Sequence, residues 1–240
     1  MHRDKNGGLR EVEIDRMTKV IRLEEAISKI ENGMTIMVGG FIGCGVPSQL
    51  LEEVCQKEIK ELTLIANDTG ILGDAMSQLI VHRCVSKLIA THIDTNKETG
   101  RQMSANELEV KLVPQGTLVE QIRAAGARLG GILTPTGIGT IVEEGKQKLV
   151  VNGTEYLLEL PVRANVALLN AYKADKAGNL VYRRAARNFN PIMAMAADLV
   201  IAQVDHIVEA GEIDPDEVMT PGIFVDYLVQ KLPQEVTIVG

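Results

Sequence analysis

Aromatic side chains are almost missing from this sequence: Trp is absent, and Phe and Tyr make up only 3% of its 240 residues. The core must therefore be assembled from Ile, Val, Leu, Met and Ala, a palette that suits parallel strands buried beneath helices on both faces. Cysteine is equally scarce. Cys44, Cys55 and Cys84 are odd in number and show no metal-ligand spacing, so neither a disulfide framework nor a zinc site is expected. Their expected state is the reduced thiol of a cytoplasmic protein. His82, His92 and His206 are too scattered to add ligands, and no metal is expected. No apolar run reaches the ~18–20 residues of a membrane span. The charged amino terminus lacks the apolar segment of a signal peptide. Positive charge is also in deficit, since 25 Lys and Arg against 32 Asp and Glu leave a net −7. That balance argues against nucleic-acid binding as a main activity. An anionic substrate would have to be met by local cations or by backbone N–H groups.

What the sequence has is glycine in one concentrated place. Thr35 to Val38 is a short apolar, partly β-branched run that reads as a buried strand. It ends abruptly in Gly39, Gly40, Phe41, Gly43 and Gly45, and Pro47 then introduces a helical pattern from Ser48 to Gln56 with Leu50, Leu51 and Val54 on one face. The unit is strand, glycine loop, helix. In an open α/β sheet such a loop lies at the carboxyl edge of a strand, where ligands usually bind. A tight structural turn would need the same glycines. A dinucleotide fingerprint is weak, because the order is G-G-x-x-G-x-G and no P-loop lysine follows.

Residues 1–16 are polar and read as an extension before a start at Met17, and residues 17–240, without repeat, linker or break in composition, read as one domain. Within it the periodicity predicts helices over 22–31, 48–56, 75–80 and from Thr117 to about Ala125, the last opened by a Thr117/Glu120 capping box. A small-residue helix over 194–197 and a closing helix over 221–232 complete the set. Strands are predicted over 35–38, 61–66, 85–90, 107–112, 166–170, 179–181 and 199–204. Lys148 to Leu160 reads as a hairpin turning at Asn152-Gly153. The fold class is therefore α/β: an open, mostly parallel sheet with helices on both faces and antiparallel additions.

Chemistry is harder to place. Gln115, between Pro114 and Gly116, follows a strand and precedes a helix, so it is either a solvated loop amide or a neutral donor aimed at a developing oxyanion. Cys44 has no evident base beside it. Asp68, Asp74, Asp94, Asp198 and Asp205 lie near element ends, where caps are the ordinary explanation, and Glu31 ends a helix. Arg183, Arg184 and Arg187 read as a solvated face or as a phosphate or partner contact. A second glycine-rich region runs from Gly130 to Gly139. Loops and donors are plentiful, but no nucleophile–base pair is evident. Alone, the chain reads as half of a site.

The stretch from Asn32-Gly33 through Pro47 resembles the signature of the A (alpha) subunit of family I coenzyme A transferases. That pattern is an Asx-Gly pair, two variable residues, three apolar residues, Gly-Gly-Phe, three variable residues, Gly, one variable residue and Pro, and it is matched here at every fixed position. Ile-Ala-Asn-Asp-Thr-Gly at 65–70, Pro-Gln-Gly-Thr-Leu-Val-Glu-Gln-Ile-Arg at 114–123 and Thr-Pro-Thr-Gly-Ile-Gly-Thr at 134–140 are similar to the same family. The resemblance covers residues 17–230 and is nearest the acetate/butyrate–acetoacetate type. It implies a partner B (beta) subunit, in an assembly such as A2B2, whose glutamate carries first an acyl anhydride and then a CoA thioester. The catalytic Ser-Glu-Asn-Gly motif is missing here, because Glu31-Asn32-Gly33 lacks the serine. The resemblance further implies acyl-CoA and a short-chain carboxylate as substrates, with coenzyme A and no separate cofactor. Gln115 would be the thioester oxyanion donor. Gly39, Gly40, Phe41, Gly43 and Gly45 would shape the carboxylate pocket, with Asn67 and Asp68 nearby. A sugar-phosphate isomerase-like enzyme and a noncatalytic ligand-sensing module are the alternatives, to be told apart by activity of the chain alone and by the presence of a partner chain.

Overall fold

The computed structural model describes residues 18–233, so the extension expected over 1–16 lies outside the described residues. The helices are α1 (Leu23–Ile27), α2 (Ser48–Gln56), α3 (Ala75–Val81), α4 (Lys97–Ser104), α5 (Gln115–Gly126) and α6 (Asn190–Met193). The strands are β1 (Thr35–Val38), β2 (Leu62–Ile65), β3 (Val85–Ala90), β4 (Glu109–Leu112), β5 (Ile132–Thr134), β6 (Lys148–Val151), β7 (Thr154–Glu159), β8 (Ala164–Asp175), β9 (Leu180–Val181), β10 (Ala197–Val208) and β11 (Tyr227–Gln230). Seven of these lie side by side in the order β11-β10-β8-β1-β2-β3-β4, every neighbouring pair parallel, with β9 antiparallel on β8. A separate antiparallel sheet has the order β5-β7-β6. The open, mostly parallel sheet with antiparallel additions is as expected.

Two apolar clusters, one on each face, explain why the strands carry continuous apolar runs. Along β1, Ile36 and Val38 join the cluster under α1, α2 and α3, while Met37 between them joins the cluster under α5 and α6. This is the two-residue period of a strand buried on both sides. The β6–β7 hairpin turns at Asn152 and Gly153, both at positive φ (50° and 78°), as its Asn-Gly dipeptide demands.

Several expectations need correction. The closing helix over 221–232 is a 3₁₀ turn at Gly222–Phe224 followed by β11. Leu228 packs into one cluster and Val229 into the other, so the apolar pattern there has the period of a strand. The capping box is not formed: α5 starts at Gln115 behind Pro114, whose carbonyl already accepts from Leu118 N, and Thr117 is buried inside the first turn. The small-residue helix is shifted, since α6 ends at Met193 and Ala197 already opens β10. Strands β8 and β10 each reach twelve residues, paired far beyond their apolar centres. Helix α4 lacks an apolar stripe and escapes periodicity. It is fixed instead by its Asn96 cap, the buried Gln102 and an Arg101–Glu98 pair at 2.7 Å.

Candidate active site

Four parallel strands, β1 to β4, deliver their following loops to one edge of the sheet. After β1, Phe41 and Cys44 exchange two backbone hydrogen bonds of 3.0 Å around Ile42 (φ 43°) and Gly43 (φ 79°). Positive φ is costly for a β-branched residue. The Asp68 carboxylate holds Ile42 in place, its Oδ2 accepting the Ile42 N–H at 2.9 Å. A Cβ on Gly39 would overlap the amide of Asn190, and one on Gly45 would come within 2.9 Å of Ala186 Cα. Close approach therefore requires glycine at both ends of the loop.

The loop is clasped from the far end of the chain. Asn188 Oδ1 accepts from Gly40 N at 3.2 Å and its Nδ2 donates to the Cys44 carbonyl at 2.9 Å. The Nδ2 of Asn190 donates to the Gly45 carbonyl at 3.0 Å, while its Oδ1 accepts from Asn170 N at 3.0 Å. Beneath them, buried Gln203 accepts from the backbone N–H of Gln49 at the start of α2 (2.9 Å) and donates to Asn170 Oδ1 (3.1 Å). Sequence reasoning missed these amides. The available signal was two asparagines flanking Phe189 just before Pro191, directly after the arginine cluster.

After β2, Asn67 and Asp68 are almost wholly buried. Asn67 Nδ2 donates to Asp68 Oδ2 (2.8 Å), and Asp68 Oδ1 accepts from Gly70 N (2.8 Å). An ionised carboxylate only accepts, so the Asn67 amide must turn its NH₂ to Asp68 and its Oδ1 outward. That oxygen accepts from Gln115 Nε2 at 2.9 Å and from Thr91 Oγ1 at 3.1 Å. Gln115 is thereby oriented as a donor, with its second N–H unpartnered among the described residues. Exposed Gln115 opens the twelve-residue α5, whose N-terminal N–H groups add positive potential beside it. The structure thus brings Gly39, Gly40, Phe41, Gly43, Gly45, Asn67, Asp68 and Gln115 to one edge. His92 joins through Thr91 Oγ1 (3.1 Å) and lies 6.3 Å from the Phe41 ring.

Beside Gln115 a cavity of about 750 Å³ opens between the first turn of α5 and β5, walled by Thr117, Glu120, Leu133 and Thr134. Arg184 and Arg187 lie on an exposed 3₁₀ turn touching the glycine loop through Ala186, and Arg183 covers the Tyr172 ring at 5.2 Å. Asp74 caps α3, accepting from Ser77 N at 2.8 Å, and Asp198 and Asp205 pair with Arg163 and Lys231. The edge can therefore bind an anion and polarise a carbonyl oxygen. Among the described residues no side-chain hydrogen bond joins the Cys44 thiol to a base, and no cluster of three or more metal-binding side chains occurs.

Residues 20–231 match the family model for coenzyme A transferase. The acetate CoA-transferase subunit alpha of Escherichia coli strain K12 is 52% identical over 212 residues, covering 88% of this chain and 96% of that one. The acetoacetyl-CoA:acetate/butyrate CoA transferase alpha subunit of Clostridium acetobutylicum is 48% identical over 214 residues, covering 89% and 98%. Among solved structures, an acyl-CoA transferase from Escherichia coli O157:H7 superposes with a TM-score of 0.81 at 21% identity, a likeness of fold. That match covers 89% of this chain and 47% of the other, so this chain spans about half the length of that enzyme.

Proposed function

The chain belongs to the coenzyme A transferase family, and on that premise we propose that it is the alpha subunit of a two-subunit enzyme that moves CoA between a short-chain acyl-CoA and a carboxylate. The observation that carries this reading is its near end-to-end match to two alpha subunits whose names specify acetate, acetoacetyl-CoA and butyrate chemistry. The site supports it from the opposite direction, with an oriented amide donor, a clasped glycine loop and no nucleophile–base pair among the described residues. The nucleophile is then a glutamate of the beta subunit. It attacks the acyl-CoA carbonyl, and the anhydride and glutamyl-CoA thioester that follow retain thioester energy which water would dissipate.

In this reading the free N–H of Gln115 meets the oxyanion that develops as the thioester carbonyl becomes tetrahedral. Asn67 and Asp68 keep that N–H facing outward. Gly39, Gly40, Phe41, Gly43 and Gly45 form this chain's wall of the carboxylate pocket. Coenzyme A enters as a substrate and no separate cofactor is needed. Residues 17–240 constitute one subunit domain, a view supported by a family match that runs unbroken from 20 to 231. The pairing is an alpha–beta hetero-oligomer such as A2B2, placed in the cytoplasm where its acyl-CoA substrates circulate. The test is CoA exchange between acetyl-CoA and acetoacetate or butyrate, measured for the chain alone and mixed with its beta subunit. Exchange in the mixture alone is expected, and exchange by the isolated chain would overturn the half-site reading.

A further inference from the structure

At the opposite edge of the sheet from the loops, two thiols face each other. Cys55 lies in the last turn of α2 and Cys84 immediately precedes β3, and their sulfurs share an S–H···S hydrogen bond of 3.8 Å. The six residues of β3, at ~3.3 Å each, separate the pair from Thr91 and the candidate site by roughly 20 Å. Cys84 is fully buried, while Cys55 is only partly buried. Both pack in the cluster under α1, α2 and α3.

The charge of the Lys60 ammonium favours the thiolate at either sulfur. The Lys60 ammonium is fixed in place, its Nζ donating to the His82 carbonyl at 2.6 Å. The arrangement therefore sets two sulfurs in contact beside a fixed cation, the geometry that thiol–disulfide chemistry needs.

We propose that Cys55 and Cys84 form a redox-active dithiol that a peroxide closes into an internal disulfide. In the first step Cys55, the more exposed residue of the pair, takes one peroxide oxygen as a sulfenic acid; the O–O bond breaks and one water leaves. In the second, the Cys84 sulfur attacks the Cys55 sulfur, the S–S bond forms, and the hydroxyl leaves as a second water with the remaining thiol proton. Two electrons pass from the sulfurs to the peroxide. The bridge ties α2 to the start of β3 across an intervening stretch of chain, which restricts the unfolded ensemble, while the loops at the carboxyl edge lie far away. Cys44 is exposed and has no thiol neighbour among the described residues.

The test uses the full chain, alone and with its beta subunit, treated with hydrogen peroxide and digested with trypsin without reduction. Cleavage after Lys57, Arg83 and Lys87 places Cys84 on a peptide apart from Cys55, and because the Cys55 peptide also carries Cys44, its fragmentation spectrum assigns the linked sulfur. The expected product is a linked pair of peptides bearing Cys55 and Cys84, lighter by two hydrogens than the free peptides and split by dithiothreitol. The denatured chain then shows one free thiol in place of three, and the oxidised chain melts several degrees higher than the reduced one. Both changes are absent in C55S and in C84S, and the more exposed position 55 provides the folded control if the buried one does not tolerate serine. Recovery of Cys55 and Cys84 as unlinked thiols, or of Cys55 as an unlinked sulfinic acid, would overturn the proposal.

Discussion

The two glycine-rich stretches of this chain are alike in composition and differ in what holds them. Around Gly39 to Gly45 the backbone is bonded by Asp68, Asn188 and Asn190, side chains 26 to 148 residues away in sequence. Around Gly130 to Gly139 the backbone of β5 pairs with β7, but the side-chain hydrogen bonds are local: Thr134 Oγ1 accepts from Thr136 N, the Thr140 hydroxyl donates to the Gly137 carbonyl, and Glu143 accepts from Gly139 N. Glycine content marks where a backbone is permissive. Distant amides and carboxylates fix the first stretch as a loop of the candidate site, whereas the second contributes Leu133 and Thr134 to the cavity wall beside Gln115.

The largest expected effect lies on the clasped side. Gln115→Ala should lower kcat of the assembled enzyme by ~10²–10³ with assembly intact, the scale for losing one oxyanion donor. Steady-state kinetics beside size-exclusion chromatography decide it, and an unchanged kcat removes Gln115 from that role. Asn190→Ala comes next. It strips partners from Asn170 N and the Gly45 carbonyl together, and should cost about 1–3 kcal/mol in denaturant unfolding.

A matched pair of substitutions then compares the two stretches directly. Gly39→Ala forces a Cβ into the Asn190 amide and should destabilise by about 1–3 kcal/mol. Gly139→Ala enters open space and meets only the strain of φ +76°, about 1 kcal/mol. Equal costs by thermal unfolding would dissolve the contrast. The smallest effect concerns Glu143, whose carboxyl is held below its ordinary value by the Lys148 ammonium and then by the Gly139 N–H. A depressed carboxylate stabilises the fold above its unfolded pKa, and this contribution is lost as pH falls through the folded value. Carboxylate NMR should show Glu143 titrating below the ordinary range, and Lys148→Ala should move its midpoint upward.

Much of the sheet was legible because its strands combine apolar β-branched runs with abrupt breakers. Thr35–Val38 ends in Gly39-Gly40, and the hairpin turns at Asn152-Gly153. Gln115, Asn67 and Asp68 could be placed at strand ends from the same punctuation. The remainder depends on partners distant in sequence. Helix α4 is held by caps and a buried glutamine, and β11 is a strand only because β10 is there to pair with it. The clasp by Asn188 and Asn190 was invisible for the same reason, since no local pattern announces that an amide will bond a loop some 145 residues earlier.

In the proposed enzyme this chain supplies donors and a pocket wall while the nucleophile stands on another chain. The most direct measurement incubates the reconstituted complex with acetyl-CoA, traps the enzyme-bound thioester with borohydride or hydroxylamine, and locates the modified residue by peptide mass spectrometry. Modification of a beta-subunit glutamate is expected, with none on this chain. A trapped adduct on Cys44, Glu31 or any other residue of this chain would contradict it.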